Sequence, residues 1–179
     1  MRRELRLAGF GGQGIILAGY ILGKAAALYD GKEAVFSQSY GPEARGGACA
    51  AAVIISDEAI DYPVVTRPDY LVLMSQEAFT IYGPLVNEGG IVIMDRDLVE
   101  TTTEGERIYR VPFTRLAEEL GNRIVANMVM LGALAAATDV VGREAMEESI
   151  RTSVRERTVP LNLKAFAAGY DYLAQGEAA

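Results

Sequence analysis

Gly9-Phe10-Gly11-Gly12-Gln13-Gly14 stands between two segments of different period. Before it, Glu4-Leu5-Arg6-Leu7-Ala8 alternates apolar and polar, as a half-buried strand does; after it, Ile15-Ile16-Leu17-Ala18-Gly19-Tyr20-Ile21-Leu22 is apolar over a helical length. A strand that turns through glycines into a helix opens an α/β unit. Four glycines in six positions give the backbone dihedrals that a side chain forbids, and they let another molecule come close to the main chain. The N–H groups at the helix start, reinforced by its dipole, then favour an anion over the turn, phosphate above all.

Gly9, Gly11 and Gly14 match G-x-G-x-x-G in the strand-to-helix context that a dinucleotide loop requires. Such a loop also needs an acidic residue for the ribose, about 20 residues on at the end of the next strand. That strand is expected from Ala34 to Tyr40 and ends in Ser37-Gln38-Ser39-Tyr40, with Asp30 and Glu33 before it. A Walker loop is excluded, because Ile15 and Ile16 stand where Lys and Ser or Thr belong. The turn reads either as an anion cradle or as a tight turn that only packs helix against strand.

Working outward, the 179 residues are half hydrophobic and carry no long charge block, which fits a single folded domain over 1–179 with a substantial core. Seventeen basic and 24 acidic residues give a net charge of −7, and no basic run tracks a phosphate backbone, so nucleic acid is not an expected partner. The longest apolar run, Ile124 to Ala137, is too short to span a bilayer, and Met1-Arg2-Arg3-Glu4 does not read as a cleavable leader; a cytoplasmic protein with no membrane contact is expected. With no histidine there is no Ser-His-Asp triad and no imidazole ligand. One cysteine, Cys49, neither holds an iron-sulfur cluster alone nor forms an internal disulfide, and reads as a small buried hydrophobe. No catalytic residue and no metal ligand is assigned.

Helix one is expected from Gly14 to Leu28, covered on most sides, and closed by Asp30-Gly31. Ala48 to Ser56 reads as a strand joined to Ala34–Tyr40 in an antiparallel hairpin. Asp69 to Ser75 and Ile91 to Asp95 are short, nearly continuous apolar strands with a helix between them through Glu77, Ala78, Phe79 and Tyr82. Strands of that kind belong in a sheet covered on both faces. The expected class is α/β: a Rossmann-like, mostly parallel sheet with an antiparallel hairpin and helices on both faces. Phe113–Leu120 reads as an amphipathic helix, Ile124–Ala137 as a buried one with Gly132 at a close approach, and Arg143–Val154 as a third. Pro160 starts a last helix in which Leu163, Phe166, Ala167 and Tyr170 share a face.

The second informative stretch is Gly41-Pro42-Glu43-Ala44-Arg45-Gly46-Gly47, a loop that no helix or strand tolerates. The planar fork of Arg45 suits a phosphate or carboxylate, and equally a pairing with Glu43 or a neighbouring subunit. Asn127 is a lone polar residue entering the buried helix, suited to bonding a loop backbone.

Three motifs in order, Gly9 to Gly14, Ser39-Tyr40-Gly41-Pro42-Glu43-Ala44-Arg45-Gly46-Gly47, and Asn127-Met128-Val129-Met130-Leu131-Gly132-Ala133, resemble the gamma subunit of 2-oxoacid:ferredoxin oxidoreductases. The wording around Asp57-Glu58-Ala59-Ile60-Asp61-Tyr62-Pro63 is most similar to the 2-oxoglutarate branch, and the similarity spans nearly the whole chain. The resemblance implies a subunit that is inactive alone. It implies alpha, beta and delta partners carrying thiamine diphosphate and iron-sulfur clusters, ferredoxin reached through the complex, and coenzyme A as a shared ligand. On that basis Gly11, Gly12, Gln13 and Gly14 are expected to hold the coenzyme A pyrophosphate, with Gln13 adding a side-chain donor. Arg45, Gly46 and Gly47 would face the same ligand or the catalytic subunits, Glu43 would orient Arg45, Asn127 would hold a loop, and Tyr40 is a candidate to pack on the adenine. Two other readings stand beside it: a free-standing NAD(P)-dependent dehydrogenase, and an assembly scaffold whose glycine loops bind nothing.

Overall fold

The computed structural model describes residues 1–39, 48–102 and 107–176. Among the described residues six strands form one sheet: β1 (Arg2–Phe10), β2 (Glu33–Gln38), β3 (Ala48–Ser56), β4 (Tyr70–Leu73), β5 (Ile91–Asp95) and β6 (Ile108–Val111). Their order is β2-β3-β1-β4-β5-β6. The pairings β1–β4, β4–β5 and β5–β6 are parallel, whereas β2–β3 and β3–β1 are antiparallel. The expected mostly parallel sheet with one hairpin is therefore what the chain forms, and β3 inserts that hairpin directly beside β1.

Side chains alternate across the pleat, so each strand feeds two cores. Leu5, Leu7, Val53, Ile55, Val72 and Ile93 enter the larger one. It is covered by α1 (Ile15–Lys24), α3 (Phe113–Glu119), α4 (Ala126–Ala137), α5 (Arg143–Arg151) and α6 (Val159–Ala174). On the other face Ala8, Ala50, Leu71, Leu73, Val92 and Met94 pack with Ala78 and Tyr82 of α2 (Gln76–Tyr82). All four residues of β4 are buried, which is why Tyr70-Leu71-Val72-Leu73 shows no alternation in sequence.

Helix α4 is buried on every side from Ala126 to Leu134 and crosses α6 with almost no side-chain layer between them. A Cβ on Gly132 would fall on the Phe166 carbonyl oxygen, and one on Gly169 would fall on the Val129 carbonyl oxygen. The close approach expected at Gly132 is thus reciprocal. This crossing fixes α4, and α4 presents Asn127 to the glycine turn.

Two local expectations shift, and one strand was not expected. Helix α1 continues as a π turn over Ala25–Tyr29, but its outer side is open: Tyr20 is 48% and Leu28 67% exposed. The buried stripe of α6 is Asn162, Ala165, Phe166 and Gly169, so only Phe166 of the expected four is fully covered. The i, i+3, i+4, i+7 spacing was right and the phase was one residue off, because Gly169, which has no apolar side chain to announce it, supplies the contact. Strand β6 carries no apolar alternation strong enough to be read, since it is a four-residue edge strand with Arg110 within it.

Candidate functional site

In a parallel sheet with helices on both faces, ligands settle outside the carboxyl ends of the strands, where the strand order diverges. Here that point lies between β1 and β4: from β1 the chain goes through α1 to β2 on one side of the sheet, while β4 lies on the other. The glycine turn follows β1 at this point.

The turn is built by its glycines and stapled by Gln13. Gly12 (φ 94°) and Gly14 (φ 74°) both take left-handed backbone conformations, which favour glycine. The Gln13 carboxamide oxygen accepts the Phe10 N–H at 2.6 Å, and its nitrogen donates to the Met74 carbonyl at 3.0 Å, tying the turn to the end of β4. The Gln13 N–H donates to the Phe10 carbonyl at 3.2 Å. The Gln13 side chain is therefore engaged with the protein itself, and the expected outward donor is directed at Met74.

Asn127 meets the turn from α4. It is only 4% exposed, and its amide nitrogen donates to the Gly14 carbonyl at 3.2 Å, where Ala18 N–H also donates at 3.0 Å. A Cβ on Gly14 would overlap that amide, so position 14 needs glycine for space as well as for φ. Among the described residues no side chain caps α1, and no acidic residue lies in its first turn. Among the described residues no acceptor meets the N–H of Gly11, Gly12 or Gly14. These donors, with those of the first helical turn, form an uncapped cluster suited to an anion. By contrast α2, which starts at the end of β4, is capped by its own Ser75, whose hydroxyl accepts the Ala78 N–H at 3.2 Å.

Two adjoining cavities flank the turn. One, of about 360 Å³, is lined by Gly12, Gln13, Thr114, Arg123 and Ile124. The other, of about 470 Å³, runs from Gly12 and Gly14 past Leu17 and Asn127 to Arg155 and Asn162. Ile124 borders both and is 71% exposed, because it precedes α4 in a short 3-10 turn rather than lying in the buried helix. Two arginines are among the lining residues of these cavities in a protein that is acidic overall: Arg123 lies 4.0 Å from Glu118, and Arg155 forms no ion pair among the described residues. Neither arginine, nor Asn162, was singled out by sequence. For Asn162 a signal existed, since it is a polar residue on the buried stripe of α6; for the arginines none did, because only the fold carries positions 123 and 155 to the turn.

Beneath the first cavity, Asp95 at the end of β5 is fully buried. Its carboxylate accepts the Thr114 hydroxyl at 2.8 Å, the Thr114 N–H at 3.0 Å and the Asp97 N–H at 3.0 Å. Burial pushes its pKa above the ordinary carboxylate range, opposed by those three bonds. Asp95 anchors α3 and the Asp97 turn and is enclosed by the protein. Cys49, opposite Gly9 in the β1–β3 register, is half-buried against the core, and burial raises its thiol pKa.

Tyr40, Glu43, Arg45, Gly46 and Gly47 lie outside the described residues. Their described flanks are near the site: Ala48 pairs with Phe10, immediately before the turn, and the Ser39 N–H bonds the Ala50 carbonyl.

Comparison with known proteins gives the family and the fold. Residues 4–172 match the family model for pyruvate ferredoxin/flavodoxin oxidoreductase. A 2-oxoglutarate synthase subunit KorC from Methanocaldococcus jannaschii is 57% identical over 175 residues, covering 96% of this chain and 94% of that one. The crystal structure of a keto/oxoacid ferredoxin oxidoreductase gamma subunit from Geobacter sulfurreducens superposes with a TM-score of 0.88 at 45% identity, covering 96% of this chain and 95% of that chain. A third match, at TM-score 0.82 and 25% identity, spans 97% of this chain but 31% of the longer one; it is a 2-oxoglutarate:ferredoxin oxidoreductase from Magnetococcus marinus with 2-oxoglutarate, coenzyme A and succinyl-CoA bound. The chain belongs to the pyruvate ferredoxin/flavodoxin oxidoreductase family and has the fold of its gamma subunits.

Proposed function

We propose that this chain is the gamma subunit of a 2-oxoglutarate:ferredoxin oxidoreductase, a non-redox subunit that completes the assembly and lends its glycine turn to the coenzyme A site. The observation that carries the reading is the uncapped turn at the divergence of β1 and β4, where Gly11, Gly12 and Gly14 have N–H groups without acceptors among the described residues. Relatives support the assignment to the 2-oxoglutarate branch, since KorC proteins from several archaea resemble the chain over nearly its full length. The bound coenzyme A of the Magnetococcus marinus enzyme supports the choice of ligand.

In this reading the backbone donors of the turn bind the pyrophosphate, Arg123 and Arg155 add charge at its two sides, and Gln13 and Asn127 hold the turn in shape. Arg45, Gly46 and Gly47 approach the same ligand or the catalytic subunits, and Glu43 orients Arg45. This chain supplies no catalytic group. Thiamine diphosphate and the iron-sulfur clusters reside on the alpha, beta and delta subunits, and electrons leave to ferredoxin through them. The exposed Leu17, Tyr20, Leu28 and Ile124 are surface that such neighbours would cover. No helix among the described residues is long and apolar enough to cross a membrane, in keeping with a cytoplasmic assembly.

The test is to purify the chain from its native cells and assay what accompanies it. Recovery of thiamine-diphosphate and iron-sulfur subunits with 2-oxoglutarate-, coenzyme A- and ferredoxin-dependent turnover is expected. Recovery of the chain alone with tight nicotinamide binding would overturn the reading in favour of a dehydrogenase.

A further inference from the structure

The two edges of the sheet are built differently. Among the described residues neither β2 nor β6 has a strand on its outer side. Strand β6 is four residues long, carries Arg110 and follows Arg107, and short, charged edges resist pairing with other chains. Strand β2, Glu33-Ala34-Val35-Phe36-Ser37-Gln38, pairs with β3 in unbroken register and holds neither proline nor lysine. An edge of that kind is a template for a further strand.

The register says which groups it offers. The Ser39 N–H donates to the Ala50 carbonyl at 3.0 Å, so the ladder to β3 uses Glu33, Val35 and Ser37, and the N–H and carbonyl groups of Ala34 and Phe36 point away from the sheet. Beside this edge stands an apolar flank. Tyr20 of α1 meets the Phe36 ring edge-on, with centroids 6.4 Å apart, and remains 48% exposed.

The sequence of β2 suits a copy of itself. Run antiparallel about a two-fold axis at Val35, the outward groups of Ala34 meet those of Phe36 in the other copy, and the reverse. Glu33 then falls opposite Ser37 rather than another carboxylate. This matters because each chain carries a net charge of −7, and two such chains join only across a seam without opposed like charges. The nearby cations are already engaged within the chain: Lys32 with Asp30 at 2.7 Å, and Lys24 with the Thr152 carbonyl at 3.0 Å. The two-fold axis stands perpendicular to the sheet, so both Tyr20 side chains lie on the same face, one on each side of the seam.

We infer that β2 is the contact between two copies of this chain, joined antiparallel through Ala34 and Phe36 into one continuous twelve-stranded sheet, twice the six strands of each copy, with Tyr20 flanking the seam. The inference goes beyond the coenzyme A reading and does not depend on it. It assigns the Tyr20 side of the exposed surface to a second copy and gives the assembly at least two copies of this subunit.

The experiment is sedimentation equilibrium of the full chain from micromolar to near-millimolar concentration, with two variants. Ala34→Pro removes an outward N–H that the ladder to β3 does not use, a place where an edge strand tolerates proline. Tyr20→Lys puts two like charges beside the seam at an exposed position. The wild type is expected to dimerise, and each variant to raise the dimer dissociation constant about tenfold or more with an unchanged far-UV circular dichroism spectrum. Should Ala34→Pro fail to fold, Tyr20→Lys decides by the same criterion. A wild type that stays monomeric throughout would overturn the inference and leave the edge to a different subunit. A dimer that the folded variants do not weaken would overturn it too, because the contact would then lie elsewhere.

Discussion

Gly14→Ala combined with Asn127→Ala tests how the turn is held. An alanine at φ 74° costs about 1–2 kcal/mol in left-handed backbone strain. Its Cβ also overlaps the Asn127 amide and displaces it, so the 3.2 Å bond to the Gly14 carbonyl is lost for about another 1 kcal/mol. Gly14→Ala should therefore cost about 2–3 kcal/mol. Asn127→Ala alone should cost about 1 kcal/mol, because the Gly14 carbonyl keeps the Ala18 N–H at 3.0 Å. In the double variant that bond is lost once and the overlap is gone, so the total should fall about 1 kcal/mol short of the sum of the single effects, beyond the scatter expected of independent sites. Urea unfolding of the four proteins, read as midpoints at constant slope, measures this directly. Additivity within about 0.5 kcal/mol would refute the claim that Gly14 is required by Asn127.

The α4–α6 crossing predicts that Gly132→Ala and Gly169→Ala each destabilise by about 1–3 kcal/mol or more, since each methyl meets backbone that cannot step aside. For a chain of this size that is a thermal midpoint lowered by about 2–4 °C per kcal/mol; an unchanged midpoint would mean that the helices do not touch there. Asp95 predicts a pH dependence. Because burial holds its folded pKa above the unfolded value of about 3.9, the unfolded chain gives up the proton first, and this group costs stability at neutral pH. The cost is relieved as pH falls through the folded value and is gone below the unfolded one. Relative to Asp95→Asn, the wild type should gain stability as pH is lowered from 7 towards about 4; a relative loss would show that the bonds from Thr114 and Asp97 outweigh burial. Gln13→Glu should destabilise by about 1–2 kcal/mol, because one carboxylate oxygen replaces the donor to the Met74 carbonyl, and unchanged urea midpoints would remove the staple from the account.

Much of the fold was legible because its signals are local. The half-buried β1, the apolar β4 and β5, the hairpin partners β2 and β3, and the glycine punctuation at the turn each carry a period or a breaker within a few residues. Gly132 and Asn127 were legible as exceptions, a glycine and an amide in an otherwise apolar helix. What was not legible is long-range. Strand β6 is defined by its neighbour β5 more than by its own residues, and the phase of α6 is set by the backbone contact at Gly169. The inward orientation of Gln13 depends on the end of β4, 61 residues later. Arg123, Arg155 and Asn162 reach the turn only because α4 and α6 cross where they do.

The central claim is that the turn contacts coenzyme A rather than merely packing a helix. Gly11 is the position that isolates it, since its φ is not left-handed and a Cβ there meets nothing within 4 Å among the described residues. Gly11→Val should leave folding within about 0.5 kcal/mol of the wild type, while its side chain stands where a ligand must approach the N–H groups. The measurement is the KM for coenzyme A of the assembled complex carrying Gly11→Val. A rise of about tenfold or more, with assembly and the KM for 2-oxoglutarate unchanged, is the expected result, corresponding to about 1.4 kcal/mol of lost contact. An unchanged coenzyme A KM in a fully assembled complex would contradict the account and leave the turn as scaffold.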